Sequence, residues 1–300
     1  MPWLINAAQV DKFRKSQKSL IILDASYHLP HENRNANQEF SDKHIIDAHF
    51  FDINAFNDTH ADLPHKLITD EKAISEMLGS MGIRNDYKII FYDNSGLHSA
   101  YRAAWMMKYF GHNPHLIYVL DGGLDAWDKY IGKTTTGTTS ATPRKYQAKL
   151  QSQCIVALKD MKENLQHQQT QVIDVRHALR YAGGPEPRPG LRSGHIPGSS
   201  SFPYMSFFDK SGTLLPLEKI RTLLTSVAID VKAPIIATCG SSITAAILDF
   251  VLDLLGHKQH VIYEGSWMEW GAEKLYAGEV SLEERPIETS VESDEPTKIE

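Results

Sequence analysis

A cysteine in a run of small residues is the strongest candidate for chemistry in this chain. Cys239 is followed by Gly240, Ser241, Ser242, Ile243 and Thr244, between the apolar run 233–238 and a helical pattern that ends at Leu255. A loop between a strand and a helix directs backbone N–H groups and the positive end of the helix dipole at whatever it holds. These groups stabilise a thiolate, the nucleophilic form of cysteine. We therefore predict that Cys239 is a nucleophile held by the cysteine loop, residues 239–244.

The alternative for a free cysteine is a small buried apolar residue. Cys154 fits that alternative, because the sequence Gln153-Cys154-Ile155-Val156 contains neither a glycine-rich loop nor a helix start. The cysteine loop does not fit it, because glycine, serine and threonine fill a core poorly but supply donors around an anion.

Composition limits the class of protein. A chain of 300 residues exceeds one ordinary domain, so two domains are expected. Only two cysteines exclude a disulfide framework and favour a reducing compartment, so we expect a cytoplasmic location. The net charge of −6 argues against a nucleic-acid partner. The N-terminal sequence lacks the regions of a signal peptide, and no apolar run approaches membrane-spanning length, so we expect no membrane association.

The 14 histidines do not predict a metal site. The near pairs lie in unrelated contexts, and the sequence contains neither a Cys-x-x-Cys nor a His-Glu-x-x-His pattern. Scattered surface and loop histidines account for them, and we expect no bound metal.

The chain repeats itself once, at a spacing of about 145 to 150 residues, which indicates a duplicated domain. Four pairs of segments carry the repeat: 20–25 with 171–176, 44–48 with 195–199, 88–93 with 234–239, and 120–127 with 263–270. Cys239 stands in the second copy where Asp93 stands in the first. Only the second copy therefore has a nucleophile, and we expect the first to be structural.

Each copy alternates short apolar runs with helical patterns, for example at 71–81, 99–110, 217–227 and 244–255. Runs that are apolar throughout, such as 89–92 and 235–237, indicate parallel strands covered on both faces. Ligands then bind at the carboxyl ends of the strands. We divide the chain into a first unit at 1–132, a linker at 133–150, a second unit at 151–277 and an acidic tail at 278–300, which we expect to be disordered.

The chain resembles the tandem-domain rhodanese family of sulfurtransferases, and within it the 3-mercaptopyruvate sulfurtransferases. The resemblance covers about residues 1–277 and rests on segments 23–26, 50–53, 120–123, 185–190, 194–198, the cysteine loop and 265–270. It implies an α/β fold of two tandem rhodanese-like domains, each a mainly parallel central sheet with helices on both faces. The first domain would be non-catalytic and the second catalytic.

The resemblance also implies a mechanism. The thiolate of Cys239 takes sulfur from a small-molecule donor, becomes a persulfide stabilised by the loop N–H groups, and passes the sulfur to an acceptor. That acceptor would be cyanide or a thiol, such as a small thiol or a thioredoxin-like protein, and no cofactor is needed.

The resemblance implies that arginines before the Gly-His-Ile-Pro-Gly motif bind the carboxylate of the donor. Arg188 and Arg180 occupy those positions, and a guanidinium matches a carboxylate better than an ammonium does. The neutral pair Gly240-Ser241 after the cysteine favours mercaptopyruvate, because relatives that use thiosulfate carry basic residues there. Thiosulfate sulfurtransferase is the alternative.

Two departures from the family accompany these matches. A hydroxyl–imidazole–carboxylate relay is implied, in which Ser241 and His65 match the first two members, but the carboxylate position falls on Asn54, with Asp52 and Asp62 as substitutes. Ser242 stands where relatives have glycine. If that position needs a positive φ, serine is strained there by about 1 kcal/mol.

Two other classes of function compete. Cysteine phosphatases share a cysteine loop before a helix, but they need an arginine at the end of the loop to grip phosphate. Thr244 and Ala245 stand there instead, which argues against a phosphatase. A non-catalytic binding module is the second rival, and Cys239 argues against it.

Overall fold

The computed structural model describes residues 3–63 and 65–290. The strands are β1 Trp3–Ile5, β2 Leu20–Asp24, β3 His44–Ile45, β4 Ala48–Phe50, β5 Lys88–Tyr92, β6 Ile117–Leu120, β7 Thr134–Thr135, β8 Ile155–Val156, β9 Gln171–Asp174, β10 Ser200–Ser201, β11 Ile235–Thr238 and β12 His260–Tyr263. The helices are α1 Ala7–Ser16, α2 Ala36–Asp42, α3 Glu71–Ser80, α4 Ala100–Tyr109, α5 Gly123–Tyr130, α6 Leu158–His167, α7 Ala178–Tyr181, α8 Leu217–Ser226, α9 Ala245–Leu254 and α10 Ser266–Trp270. Among these residues, every helix is too short to cross a membrane.

Each unit contains one parallel sheet, and the two sheets have the same strand order. The first runs β1-β6-β5-β2-β4 and the second runs β8-β12-β11-β9-β10. The central strand β5 ends immediately before Asp93, and its counterpart β11 ends immediately before Cys239. The predicted duplication and the predicted parallel α/β sheets are confirmed.

The apolar strands explain why helices cover both faces of each sheet. Successive side chains of a strand point to opposite faces. Ile89 and Phe91 accordingly pack into one core and Ile90 and Tyr92 into another. The first of these cores continues into the second unit, where it includes Ile235.

Helices α4 and α9 join the two units. Tyr101 of α4 meets Phe250 of α9 edge to face, with ring centroids 4.9 Å apart. Lys108 Nζ lies 2.9 Å from Asp249 and 2.8 Å from Asp253, close to His260. These two carboxylates and the imidazole form a cluster of metal-ligand type, but the Lys108 ammonium already forms an ion pair with each carboxylate. The cluster therefore acts as an ion pair between the units.

In both units the chain returns to pair with a His-Ile segment. Thr135 of β7, within the predicted linker, pairs with His44, and Glu288 pairs with His195. The prediction of a disordered tail from residue 278 is therefore wrong for residues 278–290, and residues 291–300 lie outside the described residues. The acidic composition suggested disorder, but this segment folds by pairing with His195 of the second unit.

Arg285 holds this segment in place. Its side chain is fully buried, and its guanidinium pairs with Glu279 at 2.9 Å. It also donates to the backbone carbonyls of Glu269, Trp270, Ala272 and Lys274. The indole N–H of Trp270 donates in turn to the Pro286 carbonyl at 2.8 Å. The segment therefore belongs to the second unit.

The substitution Arg285→Met is expected to lower the free energy of unfolding by about 3–5 kcal/mol, because it leaves several backbone carbonyls without their donor and breaks the buried ion pair with Glu279. Among the described residues, Glu279 then keeps only Lys162 and the Tyr276 N–H as donors. Urea unfolding followed by circular dichroism measures the change. The control is Arg84→Met at an exposed arginine, expected within about 0.5 kcal/mol of wild type. A similarly small effect of Arg285→Met would contradict the assignment.

Candidate functional site

Cys239 lies at the carboxyl edge of the second sheet, between β11 and α9, and its side chain is buried. It borders a cavity of about 170 Å³. Leu29 and Leu97 of the first unit complete the wall, so the cavity lies between the units. The other lining residues are Arg176, His177, Arg180, Arg188, Tyr204, Gly240, Ser241, Ile243 and Thr244.

The start of α10 fixes the carbonyl groups of the cysteine loop. The N–H of Trp267 donates to the Cys239 carbonyl at 2.9 Å, and the N–H of Met268 donates to the Gly240 carbonyl at 3.0 Å. A trans peptide directs its carbonyl and the next N–H in opposite directions. The N–H groups of Gly240 and Ser241 therefore point away from α10.

The hydroxyl of Ser266 occupies two further loop N–H groups. Its Oγ accepts from Cys239 at 3.3 Å and from Ser242 at 3.1 Å, and it donates to the Tyr263 carbonyl at 3.0 Å. The Ser242 N–H, which the sequence suggested as part of the anion site, is therefore engaged. The N–H groups of Gly240, Ser241, Ile243 and Thr244 find no acceptor among residues 3–63 and 65–290.

Ser242 adopts a left-handed backbone with φ of 55° and is fully buried. For a residue with a Cβ this conformation costs about 1 kcal/mol. The backbone strain predicted for Ser242 at a positive φ is therefore present. The bond to Ser266 helps to hold Ser242 in this conformation.

Arg188 is the arginine free to bind an anion. Its Nη1 is buried without a hydrogen-bond acceptor in the described residues, and its guanidinium covers Gly240 so closely that a Cβ there would lie 2.7 Å from Nη1. Burial lowers the pKa of Arg188, and the nearby Arg180 lowers it further, whereas Cys239 and Glu186 oppose the shift. Arg180 instead pairs with Glu186 at 2.7 and 2.8 Å. The two predicted arginines therefore differ in availability.

The implied relay is not assembled in the structure. His65 Nε2 lies 2.9 Å from the Glu264 carbonyl, which it can reach only as a donor, and Nδ1 is buried without a partner in the described residues. Ser241 lines the cavity but makes no hydrogen bond to His65. Asn54 bonds to Asn57, and Asp52 accepts from the Asn54 backbone.

His65 is also poorly suited to hold a proton. Burial lowers its pKa to about 4; the Glu264 carbonyl opposes this, and the charges of Arg102 and Arg188 lower it further. A relay in which His65 becomes a cation is therefore unfavourable in this geometry.

Comparison with known proteins identifies the family. The rhodanese-like domain model matches residues 6–130 and 157–273, one match in each unit. The chain belongs to the rhodanese family.

Relatives in this family are similar over most of the chain. Thiosulfate/3-mercaptopyruvate sulfurtransferase 1, mitochondrial, of Arabidopsis thaliana is 38% identical over 86% of this chain and 73% of its own length. Human 3-mercaptopyruvate sulfurtransferase is 36% identical over 89% of each chain. SseA of Escherichia coli, solved as a 3-mercaptopyruvate sulfotransferase, superposes with a TM-score of 0.80 at 29% identity, over 89% of this chain and 99% of its own.

The first rhodanese-like domain shows how its loop functions without a cysteine. The Asp93 carboxylate accepts from Ala100 at 2.7 Å and from Ser95 at 3.2 Å, so it occupies the N–H groups of its own loop. Burial raises the pKa of Asp93 to about 7. The Asp93 carboxyl group therefore takes up N–H groups that the cysteine loop leaves available.

Sequence reasoning missed Ser266 and Arg102. Ser266 lies within the segment 265–270 that supports the family resemblance, yet nothing in its type predicts a bond to the cysteine loop. Arg102 of α4 donates to the Ser242 carbonyl at 3.4 Å from across the domain interface. An arginine inside a predicted amphipathic helix gives no signal for such a contact, because 140 residues separate the two.

The substitution Gly240→Ala is expected to raise the KM for an anionic sulfur donor at least tenfold, because the methyl group displaces the guanidinium of Arg188. A hydrogen bond to a charged group is worth about 1.5–3 kcal/mol. Stability should change by less than about 1 kcal/mol, since the end of a flexible side chain moves. The matched control is Gly96→Ala in the Asp93 loop, where an added Cβ meets nothing. Equal KM values for the two variants would contradict the placement of Arg188.

His65 is expected to remain neutral, with its proton on Nε2, until the pH approaches about 4. The folded-state pKa lies below the unfolded value of 6.5, so His65 destabilises the fold as the pH falls from 6.5 towards 4. Nitrogen-15 NMR of the histidine rings measures the titration, with His65→Gln used for assignment. A midpoint near 6.5 would contradict the buried neutral state.

Proposed function

We propose that this protein transfers sulfur from 3-mercaptopyruvate, through a persulfide on Cys239, to a thiol or cyanide acceptor, and releases pyruvate. The observation that carries the proposal is that one buried cysteine, in a loop with available N–H groups, borders the same cavity as Arg188, whose guanidinium has no acceptor in the part of the chain that the structure describes. Ser241 and His65 are proposed to support the catalytic step, with His65 acting as a neutral imidazole, and Gly240, Ser242, Ile243, Thr244 and Arg180 to shape the binding site.

The charges around the cavity support a donor with one carboxylate. Arg176 pairs with Asp174 at 2.7 Å, and Arg180 pairs with Glu186 at 2.7 Å. Arg188 is left as the uncompensated cation of the lining. One free guanidinium matches the single carboxylate of mercaptopyruvate better than the two charges of thiosulfate.

The chemistry needs two displacements at sulfur. The Cys239 thiolate attacks the sulfur of mercaptopyruvate, an S–S bond forms, and the C–S bond breaks with its electron pair on carbon. The resulting enolate takes up a proton and leaves as pyruvate. An acceptor thiolate then attacks the outer sulfur of the persulfide, and the S–S bond breaks to return the Cys239 thiolate.

The loop N–H groups stabilise charge on sulfur throughout these steps. The N–H groups of Gly240 and Ser241 are held in place before the reaction by the contacts from α10 to the carbonyls of Cys239 and Gly240. Donors that are already oriented need no reorganisation as the charge develops.

The acceptor is proposed to be a small thiol or a thioredoxin-like protein. A cytoplasmic location remains part of this proposal and is supported by the two free cysteines, Cys154 and Cys239, which suit a reducing compartment.

Thiosulfate is the alternative donor, because three arginines, Arg176, Arg180 and Arg188, line the cavity. The ion pairs that neutralise two of them favour mercaptopyruvate. A phosphatase is disfavoured, because α9 begins at Ala245 without an arginine at the end of the loop.

The test measures sulfur transfer to cyanide from mercaptopyruvate and from thiosulfate, with wild type and Cys239→Ser. We expect mercaptopyruvate to be preferred, and Cys239→Ser to abolish transfer from either donor because its hydroxyl cannot form a persulfide. Cys154→Ser is the matched control and should keep full activity. Activity retained by Cys239→Ser would end the mechanism, and a clear preference for thiosulfate would end the donor assignment.

A further inference from the structure

Arg102 is a buried cation without an acidic partner. Its side chain is only 2% exposed, yet it forms no ion pair with any carboxylate in residues 3–63 and 65–290. The other deeply buried arginines do, since Arg176 pairs with Asp174 and Arg285 pairs with Glu279. An uncompensated buried charge is costly, so an anion nearby must offset it.

Aromatic side chains of α4 hold the guanidinium of Arg102 at the interface between the two domains. The group stacks over Trp105, with Cζ 4.5 Å from the ring centroid, and Trp105 stacks on Tyr109. Burial lowers the pKa of Arg102 to about 10, and the negative charges of Glu264 and the Cys239 thiolate oppose this shift. Glu264 opposes the shift more than Cys239 does, and its carboxylate also accepts a hydrogen bond from the Leu67 N–H at 3.0 Å.

The hydrogen bond that Arg102 makes within residues 3–63 and 65–290 acts on the cysteine loop. Nη1 donates to the Ser242 carbonyl at 3.4 Å. Because the peptide is planar, this bond directs the N–H of Ile243 away from Arg102. That N–H has no acceptor in the described residues, and Ile243 lines the cavity. Arg102 thus fixes the orientation of the Ile243 N–H, as α10 fixes the orientation of the Gly240 and Ser241 N–H groups.

We propose that Arg102 is a positioning residue of the active site, which the non-catalytic domain supplies across the interface. It orients the Ile243 N–H through the Ser242 carbonyl, and its charge offsets the anionic sulfur of Cys239 in the thiolate and the persulfide. The inference rests on the proposed sulfur transfer through Cys239. It gives the first domain a part in the reaction beyond forming a wall of the cavity.

The test compares Arg102→Met and Arg102→Lys in the full chain. The rate of Cys239 alkylation by iodoacetamide is measured against pH in a Cys154→Ser background, together with kcat and KM for mercaptopyruvate. For Arg102→Met we expect the midpoint of the alkylation profile to rise by about one pH unit and alkylation near neutral pH to slow about tenfold. We expect kcat to fall with little change in KM, because Arg188 is untouched.

Arg102→Lys separates the charge from the hydrogen bond. It should keep the alkylation midpoint of wild type but lower kcat, because an ammonium does not reproduce the planar fork over Trp105. The matched control is Arg84→Met, an exposed arginine 5.7 Å from the Tyr87 ring centroid, which should leave every value unchanged.

Two outcomes would overturn the inference. One is a wild-type alkylation profile and kcat in Arg102→Met, with only a lower melting temperature, which is the signature of a merely structural residue. The other is an Arg102→Lys variant with wild-type kcat or with a shifted midpoint of the alkylation profile. This second outcome decides the question if Arg102→Met does not fold. Alkylation does not need sulfur transfer. Wild-type protein that alkylates as expected but transfers no sulfur therefore contradicts the proposed function and not the charge of Arg102.

Discussion

The hydroxyl of Ser266 is the constraint on which the rest of the site depends. It accepts hydrogen bonds from the N–H groups of both Cys239 and Ser242 and donates to the Tyr263 carbonyl. One oxygen atom therefore connects the end of β12 to Cys239 and to Ser242. The neighbouring N–H groups of Trp267 and Met268 hold two loop carbonyls. Because of these contacts, the remaining N–H groups of the cysteine loop are available to donate to a group in the cavity.

This arrangement explains how a buried, strained loop can be stable. Ser242 is held in the left-handed region by two hydrogen bonds, because its N–H donates to Ser266 Oγ and its carbonyl accepts from Arg102. Strain of this kind persists where the surroundings over-determine a conformation. The two sources lie in different domains, so packing between α4 and α9 is a condition for the geometry of the loop.

The sequence was enough to predict the parallel sheets, the duplication and the position of Cys239 in a loop between a strand and a helix, because each leaves a local pattern. Runs such as 89–92 are apolar at every position, and the cysteine loop lies between a strand and a helix. It could not predict Ser266 or Arg102, because their contacts join distant segments and their residue types have many other uses. Residues 278–290 were misjudged for a related reason. Composition reports the acidic side chains, but the segment is held by one buried arginine and by pairing with His195.

The two copies have diverged at more than the position of the nucleophile. Gly123, which has φ of 55°, takes the place of Ser266, and a Cβ there would lie 2.3 Å from the Asp93 carbonyl oxygen. A cysteine introduced at position 93 would lack the hydroxyl that ties the second loop, and a serine at position 123 could not enter without a backbone shift. No single mutation can exchange the roles of the two halves. The two halves are therefore not interchangeable, since the cysteine loop of the second is supported in part by Arg102 of the first.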